Sequence, residues 1–286
     1  MATAAALGHR RELSLAAGRI EYRERGAGQV LVFVHGIVAN GDVWRDVVDG
    51  LGAEFRCITP DWPLGAHRLA MGSDMDFSLF GLARLVDQFL AALRLDDVTL
   101  VGSDTGGAIA QCVAARHPQR LSRLVLTPCD AFDNFLPRPI RHLQLTGRTT
   151  AGWWLLAQAL RLRAVQRLPI AFGRLTERPI PAEIMRSYTQ PLREDAAIRR
   201  DMAALTRAVS TRFTEEAAAG LRTFDKPALV LWALERRRFF PLAHAHRLAA
   251  LLPQAQFVTI DDSGPFVTED QPDAVTRAIA EFMERT

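Results

Sequence analysis

Hydrophobic residues in the first 130 positions follow two alternating patterns. Short, almost wholly apolar runs at 29–34, 56–59 and 98–101 are typical of strands that are covered on both faces. Between the second and third runs, positions 79–93 carry apolar residues at helical spacing. Positions 12–24 have the pattern of a hairpin. A strand, a helix and a further strand in this order predict a parallel sheet with helical connections.

The alternation stops at Phe135 and returns after Lys226. Residues 135–216 contain Arg-rich amphipathic helical patterns and six prolines, with no strand-like run. The sequence therefore predicts an α/β core that is interrupted by a helical cap. We place the first part of the core at 1–134, the cap at 135–216 and the second part of the core at 217–286.

Composition and charge limit the classes of partner. The chain has 286 residues, 49% hydrophobic and 23% charged, so it can bury a large core as a soluble globule. Its net charge of +3 comes from arginines that are scattered among acidic residues, which argues against nucleic-acid binding. No apolar run has membrane-spanning length, and the three cysteines lack CxxC spacing. We expect a cytoplasmic protein without a nucleic-acid or membrane partner, and a homodimer stays open.

The segment with the most chemical content is 100–108, between a predicted strand and a predicted helix. Glycines stand two positions before and two positions after Asp104. A strained strand-turn-helix elbow needs small residues there, because the turn lifts a nucleophile above the sheet. Ser103 fails as the elbow residue, since β-branched Val101 and Thr105 would take those positions. Asp104 is therefore the predicted nucleophile.

A second turn complements the elbow. The strand that ends at position 34 is followed by His35-Gly36, a turn that places a backbone N–H beside such an elbow. The N–H groups of Ile37 and Thr105 are then expected to form an oxyanion hole, a pair of donors for developing negative charge. His35 is also expected at the substrate.

Five motifs now stand in order along the chain: His35-Gly36 followed by Trp44, Pro60-Asp61 after a strand, the Gly102 to Gly106 elbow, Arg116-His117-Pro118 after its helix, and Phe239-Phe240-Pro241 before a late helix. On these motifs the chain resembles the α/β-hydrolase superfamily over nearly its whole length. The resemblance implies an α/β-hydrolase fold with a mostly parallel central sheet, helices on both faces and an inserted helical cap. It implies no cofactor and no metal.

The aspartate at the elbow is similar to that of the epoxide hydrolase and haloalkane dehalogenase branch, in which the carboxylate attacks carbon and forms an ester. Dehalogenases of this branch would have Asn after His35-Gly36 and Trp after the elbow aspartate, both as halide donors. This chain has Ile37 and Thr105 at those positions. We therefore expect epoxide opening rather than dehalogenation.

The resemblance also implies a histidine after the last strand, in a segment similar to Gly-His-Phe-Val. This chain has Pro265 at that position, followed by Phe266, and both are expected to contact the substrate. The usual water-activating base is thus missing, and loss of a general base typically costs ~10²–10⁴ in rate. Asp130 and Asp262 are the candidates to replace it.

The acid partner has two candidates. Glu235 lies in the loop after a late strand, and Asp130 lies at a second acid position that related enzymes use. Since Pro265 offers no imidazole to orient, pairing with neighbouring arginines is the favoured interpretation for Glu235. His244 is predicted to be an exposed helix residue, although it is worth testing as a substitute base.

Epoxide opening needs a donor for the departing alkoxide, and members of this branch take it from the cap. Tyr188 is one candidate, and the adjacent Trp153 and Trp154 are others, because indoles offer N–H groups and flat faces. The paired tryptophans resemble those of bacterial epoxide hydrolases from aromatic polyketide pathways. Packing of the cap on the core is the alternative role for them.

The sequence thus favours a cofactor-free enzyme that opens an epoxide on a small hydrophobic, polycyclic aromatic substrate, with Asp104 and Asp130 as catalytic residues. Two alternatives stay open. One is a non-hydrolytic enzyme that uses Asp104 as a base for elimination, cyclisation or rearrangement. The other is a ligand-binding protein that has lost turnover.

Overall fold

An eight-stranded sheet forms the centre of the protein in the computed structural model, which describes residues 2–234 and 239–286. The strands are β1 (His9–Leu15), β2 (Gly18–Arg25), β3 (Val30–Val34), β4 (Arg56–Pro60), β5 (Val98–Asp104), β6 (Leu121–Cys129), β7 (Ala228–Ala233) and β8 (Ala255–Ile260). Their order across the sheet is β1-β2-β4-β3-β5-β6-β7-β8. β1 and β2 run antiparallel to their neighbours, and the other pairs are parallel. The predicted mostly parallel sheet is confirmed.

Helices connect the strands and cover the sheet. The helices are α1 (Ala2–Leu7), α2 (Arg45–Leu51), α3 (Leu79–Ala92), α4 (Thr105–Arg116), α5 (Leu143–Thr146), α6 (Thr150–Ala159), α7 (Arg163–Gln166), α8 (Ala182–Glu194), α9 (Ala196–Ala208), α10 (Thr211–Gly220), α11 (Leu242–Leu251), α12 (Val267–Asp270) and α13 (Pro272–Arg285). Every residue of β5 is buried, as its apolar run predicted for a strand covered on both faces, and every residue of β7 is buried as well. Within the described ranges, no helix is long and apolar enough to cross a membrane.

The stretch between β6 and β7 contains helices only, and α6 packs on α8 and α9. α10 packs instead on α4, next to the central strands. The predicted end of the cap at residue 216 therefore falls inside a helix that contacts the core. The limits of the domains stay a prediction.

Strand β5 is longer than its apolar run at 98–101 predicted, and its neighbour β6 extends alongside it. The parallel pairing of β5 with β6 continues through the elbow, where Asp104 lies opposite Cys129. As a result the backbone N–H of Asp130 donates to the carbonyl oxygen of Asp104 at 3.3 Å. The extension places two carboxylates side by side at the carboxyl edge of the sheet.

Candidate active site

Asp104 forms a strained turn between β5 and α4. Its backbone has φ 55° and ψ −133°, a combination that a non-glycine residue rarely adopts. A methyl group added at Gly106 would lie 2.2 Å from the Val34 carbonyl oxygen, and one added at Gly102 would lie 2.7 Å from the Gly107 Cα. The two flanking glycines are therefore required by close backbone approach, as the elbow interpretation predicts.

The carboxylate of Asp104 is held between the elbow and the His35-Gly36 turn. The Thr105 N–H donates to its Oδ1 at 2.8 Å, and Gly36 lies directly against its Oδ2. Within the described part of the chain, the Ile37 N–H has no hydrogen-bond partner. One donor of the predicted oxyanion pair thus holds the carboxylate, and the other is free for an incoming oxygen.

Asp130 is joined to Asp104 through Thr105. The Thr105 hydroxyl donates to Asp130 Oδ2 at 2.8 Å, while Asp130 Oδ1 is buried and has no partner among the described residues. Burial and the neighbouring Asp104 raise the pKa of Asp130 well above its usual range. Burial also raises the pKa of Asp104, to about 7, although the hydrogen bond from the Thr105 N–H opposes this shift. The geometry favours one shared charge, with the proton on Asp130 when Asp104 ionises.

A small apolar cavity lies beside Asp104, beneath the cap. Its volume is about 60 Å³, and Asp104 is the one ionisable side chain among the described residues that line it. The rest of the lining is apolar, from Ile37 and Val38 in the turn, Phe239, and cap residues between 140 and 175. Ligand sites usually measure roughly 300–1,000 Å³, so the cap must shift to admit a substrate of drug-like size.

The two adjacent tryptophans have different environments. Trp153 is 1% exposed and lies in a second apolar space with Ile37 and Thr105. Its indole N–H has no partner within the described residues. Trp154 is 44% exposed and lines neither space. The structure therefore brings only Trp153 of the pair to the elbow.

His35 is structural rather than a substrate contact. Its Nδ1–H donates to the Gly36 carbonyl oxygen at 2.9 Å, and its Nε2 accepts from the Trp62 N–H at 2.8 Å. Burial lowers its pKa to about 4, so the ring is neutral at neutral pH. Both ring nitrogens bond to the backbone and His35 does not line the cavity beside Asp104, so neither nitrogen is free for the substrate contact expected from the sequence.

Tyr188 fastens the cap to the core and does not line the cavity. Its hydroxyl donates to Glu269 Oε1 at 3.2 Å, and two nitrogens of Arg45 donate to the same carboxylate at 2.8 Å each. The Tyr188 side chain is fully buried, and burial and Glu269 raise its pKa. The structure thus gives Tyr188 a structural contact in place of the expected donation to substrate. Sequence reasoning missed Arg45 and Glu269, since residues so far apart share no local pattern.

Pro265 and Phe266 belong to a buried loop after β8. The carboxylate of Asp270 accepts the Gly264 N–H at 2.8 Å, and the Phe266 N–H donates to the Leu175 carbonyl oxygen at 2.8 Å. Neither Pro265 nor Phe266 lines the cavity beside Asp104. Asp270 also accepts two backbone N–H groups from the cap segment 177–178, so this loop is tied to the cap.

Three further candidates lie away from Asp104 or outside the described residues. Asp262 is exposed on the surface. His244 is partly buried rather than exposed, with its Nε2 3.5 Å from Asp133 and its ring edge-to-face against Phe132. Glu235 lies outside the residues that the structure describes.

Comparisons with known proteins agree with this geometry at the level of the fold. A family model described as alpha/beta hydrolase fold matches residues 29–272. Haloalkane dehalogenase 2 of Mycobacterium tuberculosis is 28% identical, covering 92% of this chain and 91% of the relative. Cis-3-alkyl-4-alkyloxetan-2-one decarboxylase of Xanthomonas campestris pv. campestris is 29% identical, covering 90% and 89%. The solved structure of epoxide hydrolase CorEH without ligand has a TM-score of 0.75 at 19% identity, covering 97% and 99%.

Proposed function

Because this chain belongs to the alpha/beta hydrolase fold family, we propose that it is a hydrolase whose Asp104 opens a strained oxygen ring, an epoxide, on a hydrophobic substrate. The observation that carries this proposal is the placement of Asp104 as the one ionisable side chain among the described residues that line an apolar cavity. An apolar site leaves a carboxylate poorly solvated, which favours its attack on carbon. Relatives named for dehalogenation and for decarboxylation are compatible with the same first step.

In the first step, a carboxylate oxygen of Asp104 attacks an epoxide carbon, the ring C–O bond breaks, and an ester and an alkoxide form. The Thr105 N–H supports the carboxylate oxygen that becomes the ester carbonyl oxygen. Trp153 is the proposed hydrogen-bond donor to the departing oxygen, because its buried indole N–H has no partner among the described residues and lies in a space that Thr105 also lines.

Asp130 is the proton source for this alkoxide, through the Thr105 hydroxyl. When negative charge develops on the substrate oxygen, the Thr105 hydroxyl turns from Asp130, gives its own proton to that oxygen and takes the proton that burial and Asp104 keep on Asp130. Once Asp104 is an ester it carries no charge, so one cause of the raised pKa of Asp130 disappears. Asp130 can then remain ionised and accept a proton from the water that hydrolyses the ester, which releases a diol and restores Asp104.

A second candidate function is decarboxylation of an oxetan-2-one. It is favoured because Pro265 stands where related enzymes have histidine, and because both ring nitrogens of His35 are already hydrogen-bonded to the backbone. With no imidazole in the site among the described residues, a reaction that consumes no water is well suited to the pocket. Opening of an oxetan-2-one by Asp104 at the carbon that bears the ring oxygen would give an ester with a free carboxylate. Loss of CO₂ from that carboxylate forms a C=C bond and expels Asp104 as carboxylate, so atoms balance without water.

Product analysis in oxygen-18 water separates these functions. The substrates are an aromatic epoxide, a cis-3,4-dialkyloxetan-2-one and a bromoalkane, each incubated with wild type, with Asp104→Asn and with Ser103→Ala as the matched control. Over many turnovers we expect diol that carries oxygen-18, because water first labels the Asp104 carboxylate and Asp104 passes that oxygen to the next epoxide. We expect no diol from Asp104→Asn. An alkene from the oxetanone, with no labelled hydroxy acid beside it, would favour the second function. Bromide release without diol formation, or no product from any substrate, would contradict the epoxide proposal.

A further inference from the structure

The exposed apolar side chains of this protein are concentrated on one part of the cap. Among the described residues, seven large hydrophobic side chains are exposed, and all except Leu234 lie between positions 145 and 170. They are Leu145, Trp154, Leu155, Leu162, Leu168 and Ile170. Leu145 is the most open, at 76% exposed. We call the exposed residues of segment 145–170 the cap patch. Large apolar side chains that are exposed together in one segment mark a candidate interaction site.

Helix α6 shows why the cap patch is apolar. Its inward side carries Trp153 and Ala157, which are buried against the cap, while Trp154 and Leu155 face outward. A helix that is apolar on all sides is normally covered on all sides, by protein or by lipid. The outer side of α6 therefore exposes apolar side chains that would normally be buried against protein or lipid.

The charge of the same region is strongly one-sided. Segment 135–176 contains seven arginines and no aspartate or glutamate, whereas the whole chain has a net charge of +3. Arg148, Arg161, Arg163 and Arg167 are exposed and form no ion pair within the described part of the chain. Arginines without partners beside exposed leucines and a tryptophan are the composition of interfacial helices that bind anionic lipid.

We propose that the cap patch docks on an anionic lipid surface. The arginines bind phosphate headgroups, and Trp154 with the leucines lies at the boundary between headgroups and acyl chains. A second copy of the chain fits the patch poorly, because two arginine-rich surfaces would repel each other. The sequence led us to expect no membrane partner because it has no run long enough to span a bilayer. Docking needs no such run, since an interfacial segment lies on the bilayer surface.

The cavity beside Asp104 reaches this surface. Ile170 lines that cavity and is also 54% exposed in the cap patch, and Leu156 and Leu160 of the same segment line the cavity. A hydrophobic substrate dissolved in lipid would enter beside Ile170 without crossing water. Docking does not depend on the chemistry at Asp104, so failure of the epoxide proposal leaves this inference standing.

Vesicle binding tests the inference with the full chain. We expect co-sedimentation with phosphatidylcholine vesicles that contain a quarter phosphatidylglycerol, at least about 10-fold tighter than with phosphatidylcholine alone, and weakened at about 0.5 M salt. Trp154 supplies an internal probe, because the other four tryptophans are buried. Its emission should shift to the blue on binding and be quenched by lipids with brominated chains, and Trp154→Phe should remove both signals.

Matched variants distinguish the effect of the cap patch on vesicle binding from the effect of the protein's net charge. Arg161→Gln with Arg163→Gln should weaken binding about 10-fold, and so should Leu155→Ser with Leu162→Ser. The control, Arg94→Gln with Arg277→Gln, removes the same charge from exposed core positions and should change binding less than about 2-fold. Circular dichroism and thermal unfolding check that each variant folds. Absence of binding to anionic vesicles, equal loss in the control, or a dimer through the patch that does not bind vesicles would overturn the inference.

Discussion

Gly36 lies so close to Asp104 that a methyl group added to Gly36 would stand 2.2 Å from the carboxylate Oδ2. The His35-Gly36 turn and the Asp104 elbow are thus in direct contact. We predict that Gly36→Ala displaces the carboxylate and lowers the rate of ring opening at least about 100-fold, since small misplacements of reacting groups have effects of this size. Gly72→Ala is the control, because the nearest atom to its added methyl group lies 3.3 Å away. Normal kcat/KM in Gly36→Ala would contradict the predicted contact.

Asp104 should cost the protein stability at neutral and higher pH. Its pKa is raised by burial to about 7, so the folded state holds the proton more tightly than the unfolded state. This loss of stability is absent at pH values well below the ordinary aspartate pKa of about 4, and it grows as the pH rises toward 7. We predict that Asp104→Asn stabilises the fold by roughly 2–4 kcal/mol at about pH 8, and by much less at about pH 5.

Thermal unfolding at the two pH values checks this prediction. Exposed Asp225→Asn is the control and should show no such dependence on pH. A stabilisation by Asp104→Asn that is equal at both pH values would mean that the carboxylate is not held in a poorly solvated site.

The Thr105 hydroxyl should matter through its link to Asp130. Thr105→Val keeps the backbone N–H that donates to Asp104 but removes the hydroxyl that donates to Asp130 at 2.8 Å. We expect a loss of ~10²-fold in turnover, the usual size for a lost proton-transfer group, and substantial recovery in Thr105→Ser. Rapid-quench measurement of ester formation and decay separates the two steps. Equal rates for the valine and serine variants would exclude a proton path through Thr105.

Tyr188 should contribute to stability and not to chemistry. Tyr188→Phe removes one hydrogen bond from Glu269, which keeps both bonds from Arg45, so we expect a loss of about 0.5–1.5 kcal/mol. Glu269→Ala leaves the largely buried Arg45 with only the more exposed Asp46 as an ion-pair partner and should cost about 3 kcal/mol, the lower end for breaking a buried pair. In Tyr188→Phe, kcat should stay within about 2-fold of wild type. A large fall in kcat with little change in the free energy of unfolding would show instead that Tyr188 acts on the substrate.

The elbow was predictable because its signal is local. Gly102 and Gly106 flank Asp104 within five consecutive residues, and only a tight turn explains small residues at both positions. The apolar runs likewise predicted the buried strands, since burial on both faces demands continuous apolar sequence. The family resemblance, and not the apolar pattern, pointed to Asp130, and the extended pairing that brings it beside Asp104 became visible only in three dimensions.

Residue orientation and long-range pairing were not predictable. Trp153 and Trp154 are neighbours on α6, where successive side chains point about 100° apart, so packing alone decides which one lies near Thr105. Tyr188 meets Glu269 from a distant part of the chain. His35 has the residue type of a substrate contact, but backbone groups occupy both of its nitrogens.

The covalent step at Asp104 is tested most directly by intact-mass spectrometry of the protein quenched during turnover of an aromatic epoxide, followed by peptide mapping. The predicted result is a mass increase equal to the epoxide, located on the peptide that contains Asp104 and absent from Asp104→Asn. An adduct at another residue, or diol formation by Asp104→Asn at the wild-type rate, would contradict the nucleophilic role of Asp104.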